Sequence, residues 1–282
     1  MITGKTNLVG IIGDPIEHTL SPLMHNAAFK YLDLNYIYVP FLVREGELSK
    51  AITGSKALNI KGLNVTIPHK TEVIKYVDSL DKSAQLIGAV NTIKFEENYV
   101  KGYNTDGIGA VKAIEEVSEL KNKKVIILGA GGAARAVAFQ ILLEGADSLI
   151  IANRTPENAI KIQKDIKEKL NVNIKFTDLN RKLEREISDA DILINTTPVG
   201  MYPNINQSLP IKSDMLHKDL IVKDLVYNPL KTRLLIEAEK KGAKTISGFK
   251  MLIYQGMESF KIWTGVYPPM DVFENALKPY MG

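Results

Sequence analysis

Two hydrophobic rhythms alternate along this 282-residue chain. Short apolar runs of strand length occur at Leu8–Ile12, Tyr36–Val43, Leu63–Ile67 and Ala89–Phe95, and stretches of helical periodicity separate them. Ser21 and Pro22 predict a helix start, with Ser21 as the N-cap and the proline at the first helical position. A helix over about 107–119 leads through the basic turn Lys121–Lys124 into an apolar run that ends at Gly129. A second series follows: a strand at Ser148–Ala152, a charged helix at Pro156–Leu170, and strands near Asn173, Ile192 and Ile221. The closing segments Phe249–Trp263 and Asp271–Tyr280 read as helices with no strand of their own, so they are expected to pack back on the first half of the chain. The alternation predicts α/β organisation with parallel or mixed sheets. No internal repeat, low-complexity tract or long Gly/Ser linker interrupts it.

Composition narrows the class. The chain is 45% hydrophobic and 24% charged, with 36 basic against 32 acidic residues and a net charge of +4, which suits a globular protein of about two domains. The lysines are scattered on amphipathic stretches, without the basic-aromatic ladder that nucleic-acid binding uses. There are no cysteines, which removes disulfides, thiolate metal sites and thiol catalysis. No N-terminal signal pattern or membrane-length apolar run is present, so a cytoplasmic protein is expected.

The run Val125–Arg135, VIILGAGGAAR, has the form of a dinucleotide-binding turn. An apolar strand breaks into Gly129, Gly131 and Gly132 and resumes as an Ala-rich helix, the context in which backbone N–H groups can meet a pyrophosphate. At the end of the next strand stand Asn153, Arg154 and Thr155 instead of the acidic residue that reads a ribose diol. An arginine there can bind a 2′-phosphate, which favours NADP over NAD. Taken alone, Arg154 would read as an ordinary surface arginine ahead of a helix.

Polar clusters precede this turn. In GLNVTIPHK, Asn64 and Thr66 alternate with Val65 and Ile67, and Lys70 follows Pro68 in the expected first turn of a helix, where the dipole disfavours an ammonium. GAVNT places Asn91 in an apolar strand start, and GYNTDG places Asp106 at a helix start, where a plain N-cap role would also account for it. HTLSPLMHN sets the hydroxyls of Thr19 and Ser21 at a helix N-terminus, suited to a carboxylate.

These segments, with ANRT, DLVYNP and MLIYQG, follow one another in the order seen in shikimate dehydrogenases, and the chain resembles that family nearly end to end. The resemblance implies an N-terminal α/β substrate domain completed by C-terminal helices (1–105 with 248–282) and a Rossmann-type NADP-binding domain with a parallel sheet (106–247). It implies NADPH-dependent reversible reduction of 3-dehydroshikimate to shikimate, in chorismate and aromatic amino acid biosynthesis. Lys70 and Asp106 match the catalytic pair. Thr19, Ser21 and Tyr227 match residues that take the substrate carboxylate, and Asn64, Thr66, Asn91 and Gln255 match those that address its oxygens. Gly129, Ala130, Gly131, Gly132 and Ala133, with Asn153, Arg154 and Thr155, match the cofactor site, and Leu225 and Gly248 match positions lining the nicotinamide.

Two positions depart from the family pattern. Thr19 stands where serine is usual, which bears on preference between shikimate and quinate. Asn158 stands where many NADP-specific relatives carry a second basic residue, with Lys161 one turn further on. A quinate/shikimate dehydrogenase using either cofactor shares nearly every motif. A redox-sensing binding module has no need of a proton donor such as Lys70. A metal enzyme would draw on His18, His25, His69 and His217, none of which pair at i, i+4. The expected partner is a small-molecule substrate, with no nucleic acid, membrane or metal; a homodimer is compatible with the resemblance.

Overall fold

The computed structural model describes residues 2–97, 99–179 and 181–280. They form two compact units, one comprising 1–105 with 255–280 and the other 106–254.

The first unit is built on β1 (Asn7–Gly13), α1 (Ser21–Tyr31), β2 (Tyr36–Leu42), α2 (Leu48–Ala57), β3 (Gly62–Val65), β4 (Ser79–Leu80), α3 (Lys82–Ile87), β5 (Thr92–Glu96) and β6 (Tyr99–Tyr103). Its sheet is mixed, in the order β2-β1-β3-β5-β6-β4. β1 pairs in parallel with β2 and β3, and β3–β5 and β5–β6 are antiparallel. Ile12, Leu63, Val65, Ile93 and Val100 bury one face against Leu48 and Ile52 of α2. Two breaks follow from single residues. Asp81 caps α3 by accepting from Ala84 N at 2.8 Å, and Gly88 ends the helix at φ +71°, a conformation glycine adopts without a Cβ clash.

Several boundaries differ from the sequence expectation. Ser21 is already helical and the capping position is Leu20, which makes no side-chain cap bond. β3 stops at Val65 because Thr66 and Ile67 leave the ladder, and Ile67 is exposed. After Pro68 the chain forms a 3₁₀ turn, Glu72–Tyr76, with Thr71 at its cap. Lys70 precedes that cap, so the dipole argument for an ammonium in a helical first turn does not apply. Strands β4 and β6 carry weak periodic signals, being two residues long and glycine-containing respectively.

The second unit contains α4 (Asp106–Glu115), β7 (Lys124–Leu128), α5 (Gly132–Leu143), β8 (Ser148–Ala152), α6 (Pro156–Leu170), β9 (Lys175–Thr177), α7 (Arg181–Ile187), β10 (Ile192–Asn195), β11 (Ile221–Asp224), α8 (Arg233–Lys240) and β12 (Lys244–Ile246). Its sheet is parallel throughout, in the doubly wound order β12-β11-β10-β7-β8-β9. β10 and β11 are buried along their whole length, as expected where helices cover both faces. Gly107 lets α4 approach α5 closely: a Cβ there would lie 2.7 Å from the Ala136 carbonyl oxygen.

Two helices close the chain, α9 (Gly248–Thr264) and α10 (Met270–Leu277). The division between units falls inside α9, at 254/255. The first turns of α9 are tied to the second unit by Lys250 Nζ and Tyr254 OH on Glu116 Oε1, at 3.3 and 2.6 Å. From Gln255 onward the chain belongs to the first unit, where Phe260, Trp263 and Phe273 surround His25 of α1. Among the described residues no helix is long and apolar enough to cross a membrane.

Candidate active site

In the first unit, backbone and side-chain bonds gather residues that are far apart in sequence. Val90 N donates to Lys70 O at 2.7 Å, which fastens the Lys70 turn to the strand start bearing Asn91. Asn91 is buried. Its Oδ1 accepts from Thr105 N at 2.8 Å and its Nδ2 donates to Thr105 Oγ1 at 2.9 Å. Asp106 follows Thr105 by one peptide bond and opens α4 as a buried first-turn carboxylate. Asn64 is also buried, at the centre of a hydrogen-bond cluster with Asn91 O and Thr92 Oγ1. Thr66 sits beyond the strand end, with its methyl against Gly13, where any side chain would collide with it. Ser21 is buried and Thr19 half-buried, and Ser21 N reaches Thr19 Oγ1 at 3.4 Å.

The cofactor candidates lie along the C-terminal edge of the parallel sheet. The order reverses between β7 and β10, and ligands of such sheets bind in the crevice outside that switch point. Gly129 ends β7 at φ +106°, and a Cβ there would meet Thr196 Oγ1 at 2.7 Å and Thr197 Cγ2 at 2.9 Å. At Gly131 and Gly132 a Cβ would meet nothing within 4 Å, so the surface beside the first turn of α5 is open. Gly131 is the N-cap and offers no side-chain acceptor, so the first-turn N–H groups carry no side-chain cap. That cradle fits a pyrophosphate.

Asn153, Arg154 and Thr155 connect β8 to α6. Asn153 Nδ2 donates to Thr155 O at 2.7 Å and shapes the loop, while Arg154 is exposed and forms no salt bridge among the described residues. Asn158 and Lys161 are exposed on α6. Leu225 follows β11, and Gly248 packs so closely on the Leu225 and Val226 backbone that a Cβ could not be accommodated. Tyr227 is 37% exposed beyond β11. Gln255 is half-buried on α9.

Family models match the chain in three successive segments: a shikimate dehydrogenase substrate binding domain over 11–93, a shikimate / quinate 5-dehydrogenase over 111–207 and a shikimate 5′-dehydrogenase C-terminal domain over 248–278. A shikimate dehydrogenase (NADP(+)) of Methanobrevibacter smithii is 54% identical over 279 residues, covering 99% of this chain and 98% of its own. The chain belongs to the shikimate dehydrogenase family. A crystal structure of a shikimate dehydrogenase in complex with NADP+ is similar at a TM-score of 0.95 and 53% identity, over 100% of this chain and 98% of that one. The Thermus thermophilus enzyme in complex with NADP(H) and shikimate matches at 0.88 and 32% identity, over 97% and 99%.

Beyond the residues expected of a shikimate dehydrogenase, the structure adds a polar set under the switch point. Asn195 accepts from Thr197 N and Oγ1 at 2.9 and 2.7 Å and donates to Asp224 Oδ1 at 2.9 Å, and Thr232 Oγ1 donates to Asp224 Oδ2 at 2.7 Å. Burial pushes the Asp224 carboxyl above its ordinary range, against these bonds and the charge of Lys223. Asn195 carries a legible signal of its own, a polar amide that closes the apolar run Ile192–Ile194. His25 and His69 are both buried, His25 among aromatic rings and His69 with Nε2 on Val43 O at 2.7 Å.

Proposed function

We propose that this chain is an NADP-dependent shikimate dehydrogenase, reversibly reducing 3-dehydroshikimate to shikimate. The observation that carries the reading is the coexistence of an open glycine turn at the start of α5 with a substrate-type polar cluster around Asn64, Asn91 and Lys70. Membership of the family, with a relative matched over 99% of the chain, supports it.

When bound, the reduced nicotinamide supplies a hydride to the ring carbonyl carbon. The C=O π bond breaks as the new C–H bond forms, and the oxygen must gain a proton. Lys70, as an ammonium, donates that proton and offsets the developing negative charge. Asp106 accepts from a substrate hydroxyl and fixes its direction. Thr19 and Ser21, with Tyr227, take the carboxylate, and Asn64, Thr66, Asn91 and Gln255 bind the hydroxyls. Gly129 to Ala133 hold the pyrophosphate, Arg154 with Asn153 and Thr155 holds the 2′-phosphate, and Leu225 and Gly248 flank the nicotinamide. In the oxidative direction the neutral Lys70 amine accepts the proton of the substrate hydroxyl as the C–H hydride leaves for the oxidised nicotinamide.

The test follows absorbance of the reduced nicotinamide with shikimate or quinate, each with NADP+ and NAD+. Turnover is expected with shikimate and NADP+. Faster turnover of quinate with NAD+ would replace this reading by the quinate one, and absence of turnover with every pair would refute both.

A further inference from the structure

Asparagine amides are nearly symmetric in shape, and a site that uses one to recognise hydroxyls must decide which end donates. Within the first unit that decision rests on side chains outside the expected substrate set. The Asn64 Nδ2 donors face three acceptors: Asn91 O at 3.1 Å, Thr92 Oγ1 at 3.0 Å and Ser259 Oγ at 3.0 Å. Its Oδ1 accepts from the Tyr38 hydroxyl at 2.8 Å. A flipped amide would aim its oxygen at the Asn91 carbonyl and its N–H groups at a hydroxyl whose proton already points inward.

Tyr38 is held by its ring, which is stacked on the His25 ring at 4.5 Å and 7°. Burial raises its pKa well above the ordinary phenol value, so the hydroxyl remains a donor. On the nitrogen side, Ser259 of α9 lies 2.7 Å from Thr92 Oγ1 and donates to Gln255 O at 3.0 Å. Thr92 in turn donates to Asn91 Oδ1 at 3.1 Å. Tyr38 therefore joins the His25 ring to Asn64, and Ser259 joins Asn64 to Gln255, with Tyr38, Asn64 and Ser259 all at 5% exposure or less.

We infer that Tyr38 and Ser259 are positioning residues that fix the donor and acceptor ends of the Asn64 amide, and with it the hydroxyl pattern this enzyme accepts. The inference rests on Asn64 binding substrate, as proposed above. Without the Tyr38 hydroxyl, Oδ1 of Asn64 loses the donor that holds it, and the amide is fixed from its nitrogen side alone, by Asn91 O, Thr92 and Ser259.

Steady-state oxidation of shikimate by the intact enzyme tests this with Tyr38→Phe, which keeps the ring and its stacking and removes one oxygen. The expected result is a rise of about five- to tenfold in KM for shikimate, with KM for NADP+ unchanged and kcat within about threefold. A lowered melting temperature with an unchanged shikimate KM would mean a purely structural hydroxyl and would overturn the inference. Asn64→Ala is measured beside it: an unchanged shikimate KM there removes Asn64 from substrate binding, and the inference with it. If Asn64→Ala is impaired and Tyr38→Phe is not, only the positioning role fails. In the double variant the two effects should not multiply, because both act through one amide, and full multiplication would also overturn it. Should Tyr38→Phe not fold, Ser259→Ala is read by the same criteria.

Discussion

A histidine ring stacked within an aromatic cluster is comfortable only while it is uncharged. His25 is fully buried, neither ring nitrogen has a hydrogen-bond partner among the described residues, and burial lowers its pKa from 6.5 to about 3. Its folded pKa lies below its unfolded one, so the stability it contributes is complete above pH 6.5 and is lost as pH falls toward 3. The loss by pH 5 should be about 2 kcal/mol, and His25→Phe should flatten the denaturation profile between pH 7 and 5 by that amount. Equal slopes for the two proteins would contradict the assignment. At the proposed proton donor, Lys70→Ala should lower kcat by about 10²–10⁴ and leave NADP binding little changed; calorimetry and initial rates check both halves. Arg154→Ala should weaken NADP binding by about 1.5–3 kcal/mol through lost charge-assisted bonds, and NAD binding much less. Equal losses would contradict the phosphate role.

Among the elements, β11 carries a conflict between its pattern and its place. Its Val222 joins the core formed by Leu193, Leu235 and Ala238, while Lys223 points to the other face, fully buried with no partner for Nζ among the described residues. Burial lowers its pKa from 10.5 to about 7, against the attraction of Asp224 and Glu116. Glu116 is itself engaged by Lys250 and Tyr254, which leaves Lys223 poorly compensated. The folded state thus favours the neutral amine, and stability present above pH 10.5 falls as pH drops toward 7. Lys223→Met should stabilise the protein by about 2–4 kcal/mol at pH 7, with a smaller gain at pH 9.5. Denaturant midpoints at the two pH values check it, and a destabilised variant would show that the amine has a partner role.

At the scale of the molecule, the two units depend differently on chain continuity. Residues 106–254 are contiguous and contain every strand of the parallel sheet, whereas 1–105 relies on the segment after 254 for Phe260, Trp263 and Phe273 around His25 and Phe29. A fragment spanning 106–254 should therefore melt cooperatively on its own. A chain ending at Tyr254 should lose the transition of the first unit while keeping that of the second. Near-UV circular dichroism of the aromatic cluster distinguishes the two, and a native signal from the truncated chain would contradict this dependence.

What this chain's sequence determined by itself is local. Ser148–Ala152 and Pro156–Leu170 were legible to the residue because each is a complete periodic unit bounded by its own breakers. The glycine turn was legible because its conformation depends on neighbours a few positions away. Tertiary structure decided what depends on distant partners. Ser21 reads as a cap and is a buried first-turn residue of α1, with Leu20 at the capping position. Lys70 looked like a helical first-turn residue and is a turn residue strung to Val90. Ser259 had no local signal, since its partners Asn64 and Thr92 lie some 170 to 195 residues away. Strand order, the boundary inside α9 and the direction of each buried amide depend on long-range pairing, and no local window of sequence contains those pairs.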